Sequence, residues 1–97
     1  MLDSLHYEDF APHVQSKFQM RAGNQVWEAE LIEVTDKSSS PRQEQFALQF
    51  RAPLEAPPCQ TLFELEHASL GTGGMFLVPV RRDEHALYYE AIFNRPR

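Results

Sequence analysis

Cysteine, basic residues and long apolar runs are all scarce in this sequence, and each scarcity excludes a class of protein. The single cysteine, Cys59, cannot form an internal disulfide, so disulfides do not hold the domain together and a reducing compartment suits it. The longest apolar run, residues 75–80, is far shorter than the ~20 residues of a membrane-spanning helix. The first ten residues lack the basic and apolar regions of a secretory signal. We therefore expect a soluble, cytoplasmic protein that does not contact a membrane.

Basic residues are outnumbered by acidic ones, nine to fourteen, which gives a formal net charge of −5. The one adjacent basic pair, Arg81-Arg82, is followed directly by Asp83-Glu84. A protein that binds a phosphate backbone needs a basic patch or stripe. The sequence has neither, so nucleic acid is not an expected partner.

Aromatic residues, by contrast, are plentiful. Seven phenylalanines, three tyrosines and one tryptophan are too many for a disordered segment, and the length fits one domain, residues 1–97. A chain of this size buries only about 60–65% of the surface that its unfolded form exposes. The residues therefore suffice for one core, and a large internal cavity would remove much of it.

Apolar and polar residues alternate over short segments, which is the pattern of half-buried β-strands. Turn signals such as Gly23-Asn24 and the proline-rich stretch 52–60 separate the segments. The predicted strands lie at residues 16–22, 25–35, 44–51, 61–67, 75–80 and 86–94. No helical pattern alternates with them, so we predict an all-β domain of about six antiparallel strands in a small barrel or sandwich, spanning 16–94.

One short helical turn is predicted at residues 5–14, before the first strand. Pro12 removes a backbone donor and so prevents a longer helix. We expect this segment to lay Phe10 and Val14 on the end of the barrel.

Three positions predict breaks in the regular strand pattern. The apolar phase changes between Leu31 and Ile32, which indicates either a β-bulge or a strand covered on both faces. Pro79 cannot donate to a ladder, so its strand must end, bulge or lie at an edge there. The pair Gly73-Gly74 indicates a bulge or the close approach of another backbone.

Residues able to do chemistry are scattered rather than grouped in a motif. The four histidines, at positions 6, 13, 67 and 85, show none of the spacings of a zinc site. His67 ends a strand on the inward phase, where it could hydrogen-bond the backbone of the next turn. Glutamates 28, 30, 64, 66 and 90 fall on the outward phase, as on a solvated face, and Cys59 has no neighbouring base. We predict no catalytic, cofactor-binding or metal-binding residue, and no enzymatic activity.

A possible interface is the most specific site that the pattern offers. Four apolar residues fall on the phase opposite the predicted core: Leu62, Met75, Leu77 and Ile92. Together they predict an apolar outer patch, which often marks an interface. The alternative is that the N-terminal helical turn or a loop covers them. An exposed strand edge is a second possible contact, because an open β-domain can pair its edge with a partner.

Six stretches covering nearly the whole chain carry a resemblance. They read YEDFAP at 7–12, ELIEVTD at 30–36, FALQFRAP at 46–53, LEHASLG at 65–71, FLVPV at 76–80 and YEAIFN at 89–94. In order and spacing they resemble a bacterial family of small β-domains catalogued only as a domain of unknown function. The resemblance implies that the genes of such domains lie near genes for phage-tail-collar-like fibre proteins in bacterial genomes. That neighbourhood in turn implies an accessory or assembly role. It supplies no catalytic residue.

The sequence thus favours a non-enzymatic interaction or assembly module, with a protein partner or a second copy of the chain as its target. A small-ligand-binding barrel is the first alternative, since several aromatic residues could line a pocket. These are Trp27, Phe46, Phe50, Phe63 and Tyr89. The same residues are needed for the core, so a small-molecule partner is not expected. An enzyme assembled by the fold from histidines and carboxylates is the second alternative.

Overall fold

A computed structural model describes residues 2–37 and 40–96, and it contains six antiparallel strands in one sheet. The sheet closes into a barrel in the order β1-β2-β3-β6-β5-β4, so the fold prediction is confirmed and the barrel form is the one observed. The strands are β1 Lys17–Ala22, β2 Gln25–Asp36, β3 Gln43–Ala52, β4 Thr61–His67, β5 Gly71–Arg82 and β6 Leu87–Pro96. Before them lie a 3-10 helix at Leu2–Ser4, the α-helix α1 at Tyr7–Phe10 and a second 3-10 helix at Ala11–His13.

The barrel interior is filled by the inward-facing residues of every strand. Phe46, Phe50, Phe63 and Tyr89 are 0% exposed, and rings from different strands meet edge-on, with Phe18 and Phe50 centroids 5.3 Å apart. Phe63 and Tyr89 make a second such pair at 5.5 Å. Each large side chain buried in this way contributes roughly 1.5–3 kcal/mol. The aromatic residues that could have lined a ligand pocket are therefore the core itself, except Trp27, which is half-buried against Phe63.

The predicted bulge in β2 is present where the apolar phase changes. Leu31 pairs with Phe50, and the register then shifts so that Glu33 pairs with Gln49 and Val34 with Leu48. Ile32 is the additional residue. Because of it, residues on both sides of the bulge can lie opposite inward-facing residues of β3.

Strand β5 also bulges, as Pro79 predicted, because the register with β6 shifts between Pro79 and Arg81. This strand is twice as long as expected, running from Gly71 to Arg82 rather than over 75–80. Gly73 and Gly74 lie inside this strand. The expected close approach of another backbone is present at Gly73, beside Leu2 and Asp3, and the ladder with β4 continues through both glycines without a bulge.

Strands β5 and β6 pair over only part of their lengths. The ladder joins Val78–Arg82 of β5 to Leu87–Glu90 of β6. Beyond it, β5 pairs with β4 and β6 pairs with β3. The helix Leu2–Ser4 packs on this part of β5, and the Arg95 guanidinium of β6 donates hydrogen bonds to the carbonyls of Asp3 (2.8 Å) and Leu5. Residues 2–16, here called the N-terminal cap, thus cover the end of the barrel at which β5 and β6 separate.

The cap confirms one half of the prediction for residues 5–14 and corrects the other. Phe10 is fully buried and packs on Phe46 and Phe93 at centroid distances of 6.0 and 6.2 Å. Val14, however, is 39% exposed, so its predicted place on the barrel end is wrong. The helical segment ends at His13, and the extended backbone of Val14 leaves it, which breaks the spacing that related the two residues.

Gly73 is the residue of β5 that the cap requires to be small. A Cβ atom there would lie 2.9 Å from the Leu2 nitrogen and 3.0 Å from the Asp3 nitrogen, and backbone atoms cannot yield as a flexible side chain can. We expect Gly73→Ala to lower the free energy of unfolding by about 1–3 kcal/mol. Urea denaturation followed by circular dichroism would measure the change.

The neighbouring glycine provides the control for this substitution. A Cβ at Gly74 would meet only the Leu62 side chain, at 3.6–4.0 Å, which is ordinary contact. Gly74→Ala should therefore change the stability by no more than about 0.5 kcal/mol. Equal losses in the two variants would show that the cap does not constrain Gly73.

Candidate interaction surface

The outer surface of the barrel differs in character from one side to the other. On β4, β5 and β6 large apolar side chains face outward, with Leu62 63%, Phe76 50% and Ile92 62% exposed. On β1 and β2 the outward residues are mostly charged or polar, as at Lys17, Gln19, Glu28 and Glu30. A folded domain of this size rarely gathers its exposed apolar residues without a reason. The apolar side is therefore the candidate functional site.

Four residues, Leu62, Phe76, Val78 and Ile92, define what we call the apolar face. Leu62 pairs directly with Phe76 across β4 and β5, and its side chain lies over Gly74. Val78 is 36% exposed and pairs with Glu90 of β6. Ile92 lies two residues after Glu90 on β6, and Phe76 lies two residues before Val78 on β5. Because the two strands are antiparallel, both steps lead in the same direction along the barrel. The period of two keeps all four on the outer face.

The structure corrects half of the predicted patch. Met75 is 3% exposed and Leu77 is fully buried, so neither lies on the outside of the barrel. Met75 pairs with the core residue Phe63, and Leu77 pairs with Thr61 on the same inward phase. The prediction failed because residues 75–80 are apolar on both phases, and alternation cannot then assign the inner one.

Leu62 and Ile92 are exposed as predicted, and the N-terminal cap does not cover them. Sequence reasoning missed Phe76 and Val78. The signal that would have found them is the cross-strand pairing with Leu62, because a residue opposite an outward residue must itself face outward. Whether the four residues form an interface stays a prediction.

The predicted strand edge is not open in the part of the chain that the structure describes. Each strand of the closed barrel has a neighbour on both sides. Where β5 and β6 separate, the cap lies against both strands, at Gly73 and at Arg95. A partner would therefore meet side chains on the outer face rather than an exposed ladder.

The charged side of the barrel contains a shallow groove of about 310 Å³, lined by residues that include Lys17, Glu28, Glu30, Arg51 and His85. Its charges largely neutralise each other, with Lys17 Nζ 3.6 Å from Glu30 Oε1. Ligand pockets are lined mainly by apolar and aromatic side chains. The groove lies outside the barrel and lacks that lining.

His67 forms the hydrogen bonds to the following turn that its position predicted. Its Nδ1 accepts the backbone N–H groups of Ser69 at 3.0 Å and Leu70 at 3.1 Å. Its Nε2 lies 3.0 Å from Ser16 Oγ, and that hydroxyl donates to the His13 carbonyl. Burial and, secondarily, the neighbouring His13 ring lower the pKa of His67 below its usual value.

These contacts determine the tautomer of His67 and exclude one catalytic role. The Ser16 hydroxyl has a single proton, which it donates to His13, so His67 Nε2 must carry a hydrogen and donate it to Ser16. A histidine that activates a serine needs an unprotonated nitrogen facing the hydroxyl. The Ser16–His67 pair is therefore structural and cannot act as a nucleophile and its base.

A second polar cluster fixes the cap to the barrel through Glu44, which is 0% exposed. Its Oε1 lies 2.8 Å from His6 Nδ1 and 3.5 Å from Arg95 Nε. Its Oε2 accepts the backbone N–H of Tyr7 at 2.9 Å. A buried carboxylate is tolerated when it is paired and hydrogen-bonded in this way.

Other polar groups also have structural partners. Asp83 Oδ1 accepts the backbone N–H groups of His85 and Ala86, both at 2.8 Å, which closes the β5–β6 turn and lowers the pKa of Asp83. The Tyr89 hydroxyl donates to the Pro57 carbonyl, and burial, with a smaller contribution from nearby Cys59, raises the pKa of Tyr89 to about 12.

Two searches of residues 2–37 and 40–96 complete the description of the site. No group of three or more His, Cys, Asp or Glu side chains is placed to hold a metal ion. None of the helices in this part of the chain has the length and apolar character that a membrane span requires.

The fold and the surface define a class, a small closed β-barrel domain with a filled interior, an N-terminal cap and one apolar outer side. Within that class, the chain belongs to the family described as a domain of unknown function, DUF6916, whose profile matches residues 5–93. The match confirms one part of the expected resemblance, namely that the chain belongs to a family described as a domain of unknown function. No curated protein and no solved structure matches the chain.

The Glu44 cluster generates a prediction about stability. Glu44→Gln removes the buried negative charge that faces Arg95 and His6, so we expect the free energy of unfolding to fall by about 3 kcal/mol. Urea denaturation at neutral pH would measure the loss. The control is Glu30→Gln, which breaks the surface pair with Lys17 and should lower the stability by less than about 1 kcal/mol. Similar losses from both variants would contradict an anchoring role for Glu44.

Proposed function

We propose that this domain is a non-enzymatic protein-interaction or assembly module, and that its partner binds the apolar face. The observation that carries the proposal is the grouping of Leu62, Phe76, Val78 and Ile92 on the outside of three adjacent strands. Removing apolar surface from water is favourable by roughly 25 cal/mol per Å². A partner that covers these side chains gains that free energy, and the barrel does not have to reorganise.

The size of the apolar face suits the centre of an ordinary interface. A stable protein–protein contact buries about 800 Å² on each partner, and a few central residues carry most of the binding energy. Four large side chains are enough for such a centre. The surrounding outward residues include Glu90 and Glu64, which supply the polar rim of an interface.

The filled interior favours this proposal over a small-ligand barrel. Phe46, Phe50, Phe63 and Tyr89 occupy the space in which a ligand would have to bind. The hydrogen bonds of His67 and Ser16 likewise favour it over a hydrolase, because they place the histidine in the wrong tautomer.

A narrower form of the proposal adds a setting. The sequence resemblance suggests a bacterial accessory protein for a phage-tail-like or fibre assembly, and the single cysteine suits the cytoplasm. This form depends on the resemblance alone. The apolar face would then bind a fibre subunit or a second copy of the chain.

The test of the proposal replaces two members of the apolar face that are already exposed to water. We expect the double variant Leu62→Ser, Phe76→Ser to fold normally and to bind the natural partner about 30-fold more weakly or worse, the loss typical of central interface residues. Retention of the partner by the immobilised domain gives the first readout. Light-scattering mass on a sizing column gives the second, if the partner is another copy of the chain.

Val26 provides the matched control, because it is a 51% exposed apolar residue on β2, and strand β1 lies between it and the nearest strand of the apolar face. Val26→Ser should leave both readouts unchanged. The proposal would be abandoned if the double variant kept the same partner and the same mass as the unmodified domain. Met75 and Leu77 are unsuitable for this test, since a polar group in the core would unfold the domain.

A further inference from the structure

One histidine joins two separate pieces of chain at the capped end of the barrel. His67 is 7% exposed, and it lies between the turn 68–70 on one side and the cap residues His13 and Ser16 on the other. Its Nδ1 accepts two backbone N–H groups from the turn, and its Nε2 donates to Ser16 Oγ. Both ring nitrogens are therefore used, and only the neutral ring can make all three hydrogen bonds.

Protonation is incompatible with these contacts. Adding a proton at Nδ1 sets an N–H group against the two backbone N–H groups of Ser69 and Leu70, and neither side offers an acceptor. From this geometry we infer that His67 is a pH-sensitive latch, which holds the turn 68–70 against the cap when neutral and releases the turn when protonated.

Among residues 2–37 and 40–96, no carboxylate contacts His67 to stabilise the charged ring. The cap contributes the His13 ring, 4.9 Å away between centroids, and β1 contributes the Phe18 ring at 4.5 Å. Gly71 of β5 is its cross-strand neighbour. Glu66 and Lys17 adjoin the latch in sequence, but they are exposed on the outward phase, and Lys17 is paired with Glu30.

The sign of the pH dependence follows from this environment. Burial and His13 hold the pKa of His67 below its ordinary value when the latch is closed. In the released state the ring is solvated and its pKa returns to about 6.5. The closed latch is thus fully stable above about pH 6.5, and its stability falls as the pH decreases below that value.

Release should be local, because other bonds hold the cap in place. Gln15 has a left-handed φ of 78°, which disfavours this segment, but its N–H donates to the Leu31 carbonyl at 2.6 Å. Leu31 N–H in turn donates to the Ser16 carbonyl at 3.0 Å. These two bonds do not involve His67, so residues 15 and 16 stay on β2 when the turn opens.

Amide hydrogen exchange by NMR tests the inference in the unmodified domain. We expect the protection factors of Ser69 and Leu70 to fall severalfold between about pH 7.5 and pH 5, with about 30-fold as the limit, because pH 5 lies about 1.5 units below the ordinary histidine pKa of about 6.5. The protection of Gln15 should not change and is the internal control. Ring nitrogen shifts should show the hydrogen on Nε2 of His67 at neutral pH. Unchanged protection of Ser69 and Leu70, or a hydrogen on Nδ1, would overturn the inference.

Three variants separate the latch from general acid sensitivity. In His67→Asn the side-chain oxygen can still accept from the turn but does not titrate, so protection of Leu70 and Ser69 should become independent of pH. His13→Gln removes the neighbouring titratable ring and should move the measured pKa of His67 closer to its ordinary value. His85→Gln, at the distant β5–β6 turn, should alter neither quantity. A pH response that persists in His67→Asn would assign the opening to another group.

Discussion

The buried carboxylate of Glu44 is the constraint from which the arrangement at the capped end follows. A charge on the inward phase of β3 needs partners, and Arg95 of the barrel wall is one of them. The cap brings the others, His6 and the N–H of Tyr7. Because Arg95 also binds the carbonyls of Asp3 and Leu5, the start of the chain lies where β5 and β6 separate, and that position in turn requires a glycine at 73. One buried charge thus relates three strands and the cap.

Side chains rather than a cavity fill the closed barrel, which is why the proposed function is assigned to the outer surface. The core rings fill the interior, and the cap covers one end. The outer surface is not uniform, because one side of the barrel is charged and the other is apolar. Charged pairs such as Lys17–Glu30 keep one side solvated, whereas Leu62 and Phe76 leave the other apolar. The exposed apolar side carries a free-energy penalty in water that the fold alone does not require.

Sequence alternation predicted the parts of the fold in which one face of a strand is solvated. Strand β3 is the clearest case, because Phe46, Leu48 and Phe50 recur at every second position and all three are buried, although the intervening Ala47 is buried as well. The same reasoning failed in β5, where both phases are apolar and Met75 was assigned to the wrong side. The Glu44 cluster could not be predicted at all, since His6, Glu44 and Arg95 are far apart in sequence and no local pattern relates them. Half of the candidate site was therefore predictable, and the rest needed the strand register.

The apolar face and the His67 latch lie on the same hairpin, but they are mechanically separate. His67 pairs with Gly71 at the turn, and Leu62 pairs with Phe76 near the other end of β4. Leu62 lies five positions before His67 on β4, a distance of about 17 Å along the strand. The intervening pairs, which include Phe63–Met75 and Leu65–Gly73, are anchored by core side chains and do not depend on the turn. Opening the turn in mild acid would therefore leave the Leu62–Phe76 pair intact, so the proposed binding at the apolar face would not depend on the proposed release of the turn.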